Sequence, residues 1–281
     1  METKLSSKTE EVIISDRGPA VLIGERINAT GSKKVGEALK TGDMVTLCQE
    51  ALTQVNAGAD VLDVNVGMPG CDESILLPEV VQELADTVDV PLCLDSSSPK
   101  ALEAALKVYR GKPLVNSVTG EEHSLQMVLP LIKEHRAAVV GLLMDDEGVS
   151  SDPDKRVVIA TKIVERAATL GIPLEDIVID CLAQSVGANH EAALVTIETI
   201  RKLRIAFPVN VILGASNVSF GLPDRSLLNS TFLAMAIASG ASCAIVDVAQ
   251  VRPVVLAADL LMGRDRYARR YIQAYRQRSR Q

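Results

Sequence analysis

The sequence predicts an α/β protein folded as a single (β/α)₈ TIM barrel. Short apolar runs alternate with helix-length segments along the chain, the order expected of parallel strands joined by right-handed crossovers. The 281 residues are 47% hydrophobic but only 2% aromatic and include no Trp, so the strands are rich in Val, Ile and Leu. No G-x-G-x-x-G follows any strand, so the alternative, a doubly wound open sheet, lacks its usual dinucleotide signature.

The elements follow from the spacing of apolar residues. The predicted strands are residues 20–24, 61–66, 91–95, 114–117, 138–144, 177–180, 211–214 and 244–247. The predicted helices between them are residues 43–57, 76–87, 99–109, 124–134, 154–170, 191–207 and 226–239. A last helical stretch runs from Val254 to the C-terminus with a break at Gly263. Residues 1–18 are predicted to be an N-terminal extension, with a strand at 11–15 covering the barrel bottom, and residues 19–281 to be the barrel domain.

The C-terminal residues 264–281 are basic and contain Tyr267, Tyr271 and Tyr275, which recur every four residues. Such a stripe could stack nucleic-acid bases, but the chain as a whole has a net charge of 29 − 36 = −7. We therefore predict an amphipathic helix that packs these tyrosines on the barrel, and no nucleic-acid partner.

Cysteine usage and the N-terminus indicate the compartment. The five cysteines are scattered without a C-x-x-C pair, and Cys93, Cys181 and Cys243 lie in or beside apolar strands. This pattern is typical of buried, reduced thiols in a cytosolic protein. The polar N-terminus has no signal core, and no apolar run is long enough to cross a membrane. We expect a cytoplasmic protein without a membrane partner.

Acids and amides recur at the ends of the predicted strands, which in a barrel meet on one face. One Asp after a strand can be a helix cap or a turn former, and this explains Asp145 and Asp146. Capping does not explain why acids and amides occur at nearly every strand end, and this recurrence indicates a binding site. The set consists of the acids and amides Glu25, Asn28, Asp63, Asn65, Asp95, Asn116, Asp180, Asn217 and Asp247, together with Arg26 after the first strand.

The residue types at this face limit which classes of ligand can bind there. No histidine stands at a strand end, which argues against zinc. Two or three of the aspartates could hold magnesium. Alternatively, carboxylates could accept the adjacent N–H groups of a 2-amino-4-oxo pyrimidine ring, with asparagines serving its mixed edge. Composition does not decide between these two.

Six segments resemble the pterin-binding methyltransferases, a family that includes methyltetrahydrofolate:corrinoid protein methyltransferases and the folate domain of cobalamin-dependent methionine synthase. The resemblance extends over residues 21–247, and the motifs occur in the family's order. They are IGERIN (23–28), LDVNVG (62–67), CLDSS (93–97), VNSVTGE (115–121), VIDCL (178–182) and GASNVSFGLP (214–223). Relatives often have proline where this chain has Cys181.

This resemblance implies a homodimeric barrel with the pterin of tetrahydrofolate in its C-terminal mouth and no bound metal. It implies that Asp95, Asn116 and Asp180 hydrogen-bond the pterin and that Asn217 contacts N5, which carries the methyl group. By the same resemblance, the residues that line or support the pocket are Glu25, Asn28, Asp63 and Ser216. The methyl group is expected to move between N5 and the cobalt of a cobalamin. The chain has no D-x-H-x-x-G pattern, so we expect the cobalamin on a separate corrinoid protein.

The residues are compatible with this chemistry. Transfer from N5 needs a proton at or before the transition state, and no His or Lys lies near Asn217 in the sequence to supply it. A hydrogen-bond network ending at Asn217 could stabilise the charge instead. The pocket residues do not encode the direction of methyl transfer. Because the chain is a lone barrel, we favour transfer from the corrinoid to tetrahydrofolate, in a demethylation pathway. The alternatives are a dihydropteroate synthase-like condensation, in which only Arg26 and Arg225 could bind pyrophosphate, a non-catalytic folate-binding or corrinoid-docking protein, and a magnesium-dependent aldolase.

Overall fold

The computed structural model describes residues 1–278 and contains a ring of eight parallel strands, which confirms the predicted (β/α)₈ barrel. The ring closes between its last two strands, where the Ile245 N–H donates to Leu213 O (3.0 Å) and the Ser242 N–H to Val211 O (2.9 Å). An N-terminal hairpin of β1 (Glu2–Ser6) and β2 (Glu11–Ser15) precedes the ring. The ring strands are β3 (Val21–Asn28), β4 (Val61–Asn65), β5 (Leu92–Asp95), β6 (Leu114–Thr119), β7 (Ala138–Leu142), β8 (Ile177–Asp180), β9 (Asn210–Ile212) and β10 (Cys243–Val246).

The helices surround the ring, and most begin at a residue suited to capping. The side chains of Asp43, Asp72, Ser98 and Asp152 each accept a backbone N–H of the first turn. The helices are α1 (Lys33–Thr41), α2 (Met44–Ala57), α3 (Glu73–Thr87), α4 (Pro99–Val108), α5 (Glu122–His135), α6 (Pro153–Thr169), α7 (Ala192–Ala206), α8 (Arg225–Ser239), α9 (Val248–Leu261) and α10 (Arg269–Arg278).

Helix α1 was not predicted, because its sequence is short, polar and flanked by glycines. Its interior Gly36 nevertheless has a packing reason. A Cβ at this position would lie 2.6 Å from Ala29 O, so only glycine allows the helix to approach the end of β3 this closely.

Alternate residues of each ring strand enter two different cores. One set packs outward against the helices, for example Leu22 and Leu62. The other set points into the barrel, where Ile23 and Val61 contact the hairpin residues Leu5 and Ile14. The strand predicted at residues 11–15 is thus present and closes the barrel bottom. Its partner β1 was not predicted. Backbone bonds between Ser6 and Lys112 (2.9 and 3.0 Å) fasten the hairpin to the loop before β6.

The C-terminal region differs from its prediction. Helix α9 begins at Val248 rather than at Val254, while the predicted break occurs at Gly263, which has φ +71°. The prediction that the tyrosines pack on the barrel was wrong for Tyr267 and Tyr275, which are exposed, whereas Tyr271 is half-buried. Tyr267 precedes α10 and is 85% exposed, whereas Ala274 is the buried residue of that helix. Arg269 lies over the Tyr267 ring, 5.7 Å from its centroid. Residues 279–281 of the predicted helical stretch lie outside the described residues.

Two further sequence features can be compared directly. Cys93, Cys181 and Cys243 are buried, as predicted. Within residues 1–278, no helix has the length and apolar character needed to cross a membrane.

Candidate active site at the barrel mouth

Neighbouring strands present polar residues in one continuous row at their C-terminal ends. In the strand register, Asn28 of β3 pairs with Asn65 of β4, which pairs with Asp95 of β5, which pairs with Asn116 of β6. Because parallel strands in register direct paired residues to the same side, their side chains share one surface. Asn28, Asp95 and Asn116 of this row line a cavity of about 620 Å³ at the barrel mouth.

The eight residues that the family resemblance assigns to the pocket all line this cavity, whereas Asn65 of the strand-end set does not. The eight are Glu25, Asn28, Asp63, Asp95, Asn116, Asp180, Ser216 and Asn217. Neither Asp145 nor Asp146 contributes to its lining. Asp145 instead accepts the Glu147 N–H (3.0 Å) in a turn, as predicted for that residue. The structure therefore brings the predicted residues together, while their individual roles stay predictions.

Two carboxylates, Asp63 and Asp95, form the floor. Asp63 is 2% exposed, and its Oδ1 atom is buried without a hydrogen-bond partner in the described chain. Burial and the neighbouring Asp95 carboxylate hold the pKa of Asp63 well above its usual range. Burial also raises the pKa of Asp95, opposed by Asn65, whose Nδ2 donates to Asp95 Oδ2 (2.8 Å). A buried acceptor without a donor is the feature that a ligand with N–H groups would satisfy.

Asp180 approaches the cavity from β8 and is 7% exposed. Its Oδ1 accepts the Leu182 N–H at 2.7 Å. Burial raises the pKa of Asp180 to about 6, although the Leu182 N–H and the positive charge of Arg156 act in the opposite direction. This carboxyl group therefore changes its charge close to neutral pH.

Glu25 and Ser216 connect the first strand of the ring to the loop after β9. Ser216 Oγ donates to Glu25 Oε2 (3.1 Å), and Arg225 Nη2 donates to Ser216 O (2.8 Å). Burial raises the pKa of Glu25; the hydrogen bond from Ser216 lowers it and the Asp247 carboxylate raises it. Asp247 in turn accepts from Gln250 Nε2 at 2.8 Å.

Asn217 lies at the rim and is exposed, in a short 3₁₀ helix that spans Ala215–Ser219. The backbone around it is held by hydrogen bonds from the Phe220 N–H to Asn217 O (3.2 Å) and from Ser185 Oγ to Phe220 O (2.6 Å). Gly214 leaves room for the amide, because a Cβ there would lie 3.2 Å from Asn217 Nδ2. The loop is thus fixed while the amide group faces the open mouth.

Asn28 has a local structural role in a turn, while two other lining residues, Asn229 and Gln250, were not predicted from the sequence. The side-chain Oδ1 of Asn28 accepts the N–H groups of Thr30 (2.9 Å) and Gly31 (3.1 Å), so it stabilises a turn. Asn229 and Gln250 line the cavity from helices α8 and α9. No sequence signal distinguished these two from other polar residues on a helix, because their position depends on how the helices pack.

The cavity combines acceptors at its floor, an amide at its rim and a few basic groups at its mouth. His123, His135 and His190 do not line it. No group of three or more His, Cys, Asp or Glu residues within the described part of the chain could hold a metal ion. The arrangement is chemically suited to a flat, neutral molecule with several N–H donors.

Comparisons with known proteins agree with this chemistry. A family model described as pterin binding enzyme matches residues 24–247. The chain is 29% identical over 262 residues to the methylcorrinoid:tetrahydrofolate methyltransferase of Eubacterium limosum, which covers 92% of this chain and 96% of that protein. It is 32% identical over 266 residues to the methionine synthase of Mycobacterium leprae. That match covers 90% of this chain but only 22% of the synthase, so the chain spans about a fifth of that relative's length.

Solved structures with the same fold include two dihydropteroate synthases. The enzyme from Yersinia pestis has a TM-score of 0.71 at 17% identity, over 94% of this chain and 100% of that one. The enzyme from Xanthomonas albilineans, crystallised with 4-aminobenzoic acid, has a TM-score of 0.72 at 18% identity, over 93% of this chain and 99% of that one. At this level of identity the likeness shows a shared fold only.

Proposed function

Because the chain belongs to the family of pterin-binding enzymes, we propose that it moves a methyl group between N5 of tetrahydrofolate and the cobalt of a corrinoid protein. We further propose that the methyl group moves from the corrinoid to tetrahydrofolate, as the name of the Eubacterium limosum relative describes. The observation that carries the proposal is the single cavity that combines buried acids with the exposed amide of Asn217.

The residues of the cavity fit a pterin. The ring offers adjacent N–H donors along its pyrimidine edge, and Asp95 and Asp180 would accept them in parallel, as paired acceptors do for other planar donors. The buried, unpartnered Oδ1 of Asp63 is a further acceptor at the floor. Asn116, which can both donate and accept, would serve the mixed edge of the ring. These contacts would hold the ring edge in the deep part of the cavity.

With the ring anchored at the floor, N5 would lie towards the rim and Asn217. The corrinoid supplies the methyl group when its carrier protein docks. Transfer to N5 would form the carbon–nitrogen bond as the carbon–cobalt bond breaks, with the bonding electron pair staying on the departing Co(I) corrinoid and the N5 proton released to solvent. The Asn217 side-chain oxygen would accept the hydrogen bond from this N–H, and in the reverse direction the amide N–H groups would donate to N5. Asn217 thus orients N5 and stabilises its change of charge, without a strong acid.

The open mouth is consistent with a second protein partner. An in-line transfer requires both reacting centres to be held face to face, so the rim has to be accessible to the carrier. Asn217 lines the cavity and is exposed, and Phe220, three residues further along the chain, is also exposed. The homodimer that the family resemblance implies and the cytoplasmic location expected from the sequence remain part of the proposal.

The activity is tested with free methylcobalamin and tetrahydrofolate under anaerobic conditions. The wild-type protein should produce methyltetrahydrofolate and cob(I)alamin, followed by the change in the corrinoid absorption spectrum. Asn217→Ala should slow this transfer on the order of 100-fold, as expected for loss of a group that stabilises the transition state. Its thermal unfolding should match wild type because Asn217 is exposed.

Asp146→Ala is a suitable control, because Asp146 does not line the cavity. The methyl-transfer rate of this variant should equal that of wild type. Absence of transfer above background for the wild-type protein would reject the methyltransferase proposal. Product from p-aminobenzoate and a pterin pyrophosphate would instead favour the dihydropteroate synthase-like alternative. Binding of folate without methyl exchange in either assay would favour a docking protein.

A further inference from the structure

Arg156 on helix α6 is a fully buried cation, with 0% of its surface exposed. It forms no ion pair within 4.0 Å with any carboxylate in residues 1–278. Its guanidinium instead donates to neutral oxygens: Nε to Ser150 O at 2.7 Å, Nη1 to Cys181 O and Leu182 O, and Nη2 to the side-chain Oε1 of Gln184 at 3.4 Å. Burying a charge without a paired anion is costly, so an arginine in this position is expected to have a specific role.

The contact with Cys181 leads directly to the active site. The peptide between Cys181 and Leu182 is trans, so its C=O and N–H point to opposite sides. On one side the carbonyl accepts from Arg156, and on the other the Leu182 N–H donates to Asp180 Oδ1 at 2.7 Å. Hydrogen bonds arranged in a chain polarise one another, so the guanidinium strengthens the N–H as a donor to the carboxylate.

The same contacts hold an unusual backbone conformation. Leu182 has φ +52°, in the left-handed region that residues with a side chain rarely adopt. Its carbonyl accepts from both Arg156 Nη1 (3.0 Å) and Thr196 Oγ1 (3.3 Å). These bonds offset the cost of the conformation, which in turn directs the N–H towards Asp180.

We propose that Arg156 is a positioning residue that acts through the Cys181–Leu182 peptide to aim the Asp180 side chain and keep it negatively charged for the N–H donors of the ligand. This inference rests on the proposed function insofar as the ligand is a pterin. Arg156 does not line the cavity, so it acts on the ligand only through Asp180.

The other groups around Asp180 do not supply this charge. The Cys181 and Cys243 thiols act on it from β8 and β10, and burial raises the pKa of both thiols, so they are neutral. Two other cations, Arg26 and Arg225, line the same cavity. Arg26 lies near Glu50 and Asp247, and Arg225 donates to Ser216 and Ser219. The remaining titratable lining residues are the acids Glu25, Asp63, Asp95 and Asp247.

The first test measures the charge of Asp180 without any ligand. Side-chain carboxyl ¹³C resonances are followed against pH in protein labelled at aspartate, with Asp180 assigned from Asp180→Asn. In Arg156→Gln the midpoint of the Asp180 titration curve should move up by about one pH unit. Below the midpoint this corresponds to a tenfold loss of the ionised form of Asp180. The control is Arg166→Gln on the same helix, which removes a charge paired with Glu122 and should leave the midpoint in place. An unchanged midpoint in folded Arg156→Gln would overturn the proposal.

The second test measures affinity for 5-methyltetrahydrofolate by calorimetry at pH 6 and pH 8. The weakening caused by Arg156→Gln should be larger at pH 6 than at pH 8, because Asp180 loses its charge at the lower pH. Should Arg156→Gln fail to fold, Arg156→Lys is used to test the proposal instead. Lysine keeps the positive charge but lacks the planar, forked set of N–H donors of the guanidinium. Affinity should then fall several-fold at both pH values, and wild-type affinity would reject the positioning role. If the wild-type protein binds no folate, the proposed function fails, while the NMR titration still decides whether Arg156 sustains the charge of Asp180.

Discussion

At the scale of single residues, the candidate site contains carboxylates that are costly to keep ionised. Asp180 is the clearest case, because burial raises its pKa to about 6 from the ordinary value of 3.8. Its ionised form is therefore favoured more in the unfolded chain than in the folded protein, so Asp180 lowers stability at neutral pH. A neutral structural residue would avoid this cost, which supports a binding role for the carboxylate.

Asp180→Asn should therefore stabilise the protein while weakening pterin binding. The raised pKa corresponds to up to about 3 kcal/mol at pH 8, above the folded pKa, and the gain should disappear near pH 4. Asparagine keeps an oxygen that accepts the Leu182 N–H. Urea unfolding at pH 8 and pH 4 measures the gain, and calorimetry with 5-methyltetrahydrofolate measures binding. Lower stability at pH 8 than wild type would contradict this account.

At the scale of elements, the N-terminal hairpin completes the barrel interior. Leu5 of β1 and Ile14 of β2 are both fully buried against inward-facing residues of the ring strands. Gly111 allows the hairpin to approach closely: its φ is +136°, and a Cβ there would lie 2.2 Å from Ser6 O. The bottom of the barrel therefore contributes to stability, while the site lies at the opposite end.

Leu5→Ala should lower the free energy of unfolding by about 2–5 kcal/mol, because it removes buried methyl groups and leaves a cavity. Ile13→Ala in β2 is the matched control, since Ile13 is 41% exposed and should cost much less. Chemical denaturation measures both variants. Methyl transfer by the folded Leu5→Ala protein should equal that of wild type, and equal stability of the two variants would show that the hairpin does not plug the barrel.

At the scale of the whole molecule, the ring has to join its first unit to its last. Asp259 of α9 is fully buried at this seam, and both its oxygens accept the Ala20 N–H at 3.1 Å, just before β3. It also lies 3.7 Å from Arg264 Nη1 and 3.2 Å from Arg270 Nη1. One carboxylate thus connects the start of the ring to the C-terminal helices.

Asp259→Ala should destabilise the protein by about 3–5 kcal/mol, because it leaves the Ala20 N–H without its acceptor and the nearly buried Arg264 cation without its paired carboxylate. Glu103→Ala is the control: it breaks an exposed pair with Lys107, and such pairs contribute little. Thermal unfolding followed by circular dichroism distinguishes the two. A loss for Asp259→Ala as small as that for Glu103→Ala would show that the seam is held by other contacts.

The sequence alone was sufficient for the repeating strands and the polar set at their ends. Apolar periodicity is local, and a strand followed by Asp95 or Asp180 is visible without coordinates. The same local reasoning missed β1 and α1, whose positions depend on packing rather than on hydrophobicity. It also led to the wrong prediction that Tyr267 packs on the barrel, because the four-residue spacing of the tyrosines does not show where the helix begins.

What the tertiary structure decided is how distant residues act on one another. The sequence already placed Asp95, Asn116, Asp180 and Asn217 at the ends of strands, since strand order and fold class constrain those positions. Only the folded chain shows that Asp63 is buried beside Asp95, or that Arg156 reaches Asp180 across a single peptide group. Desolvation and hydrogen bonding depend on distances of a few ångströms between residues far apart in the sequence, and these distances exist only once the barrel has closed.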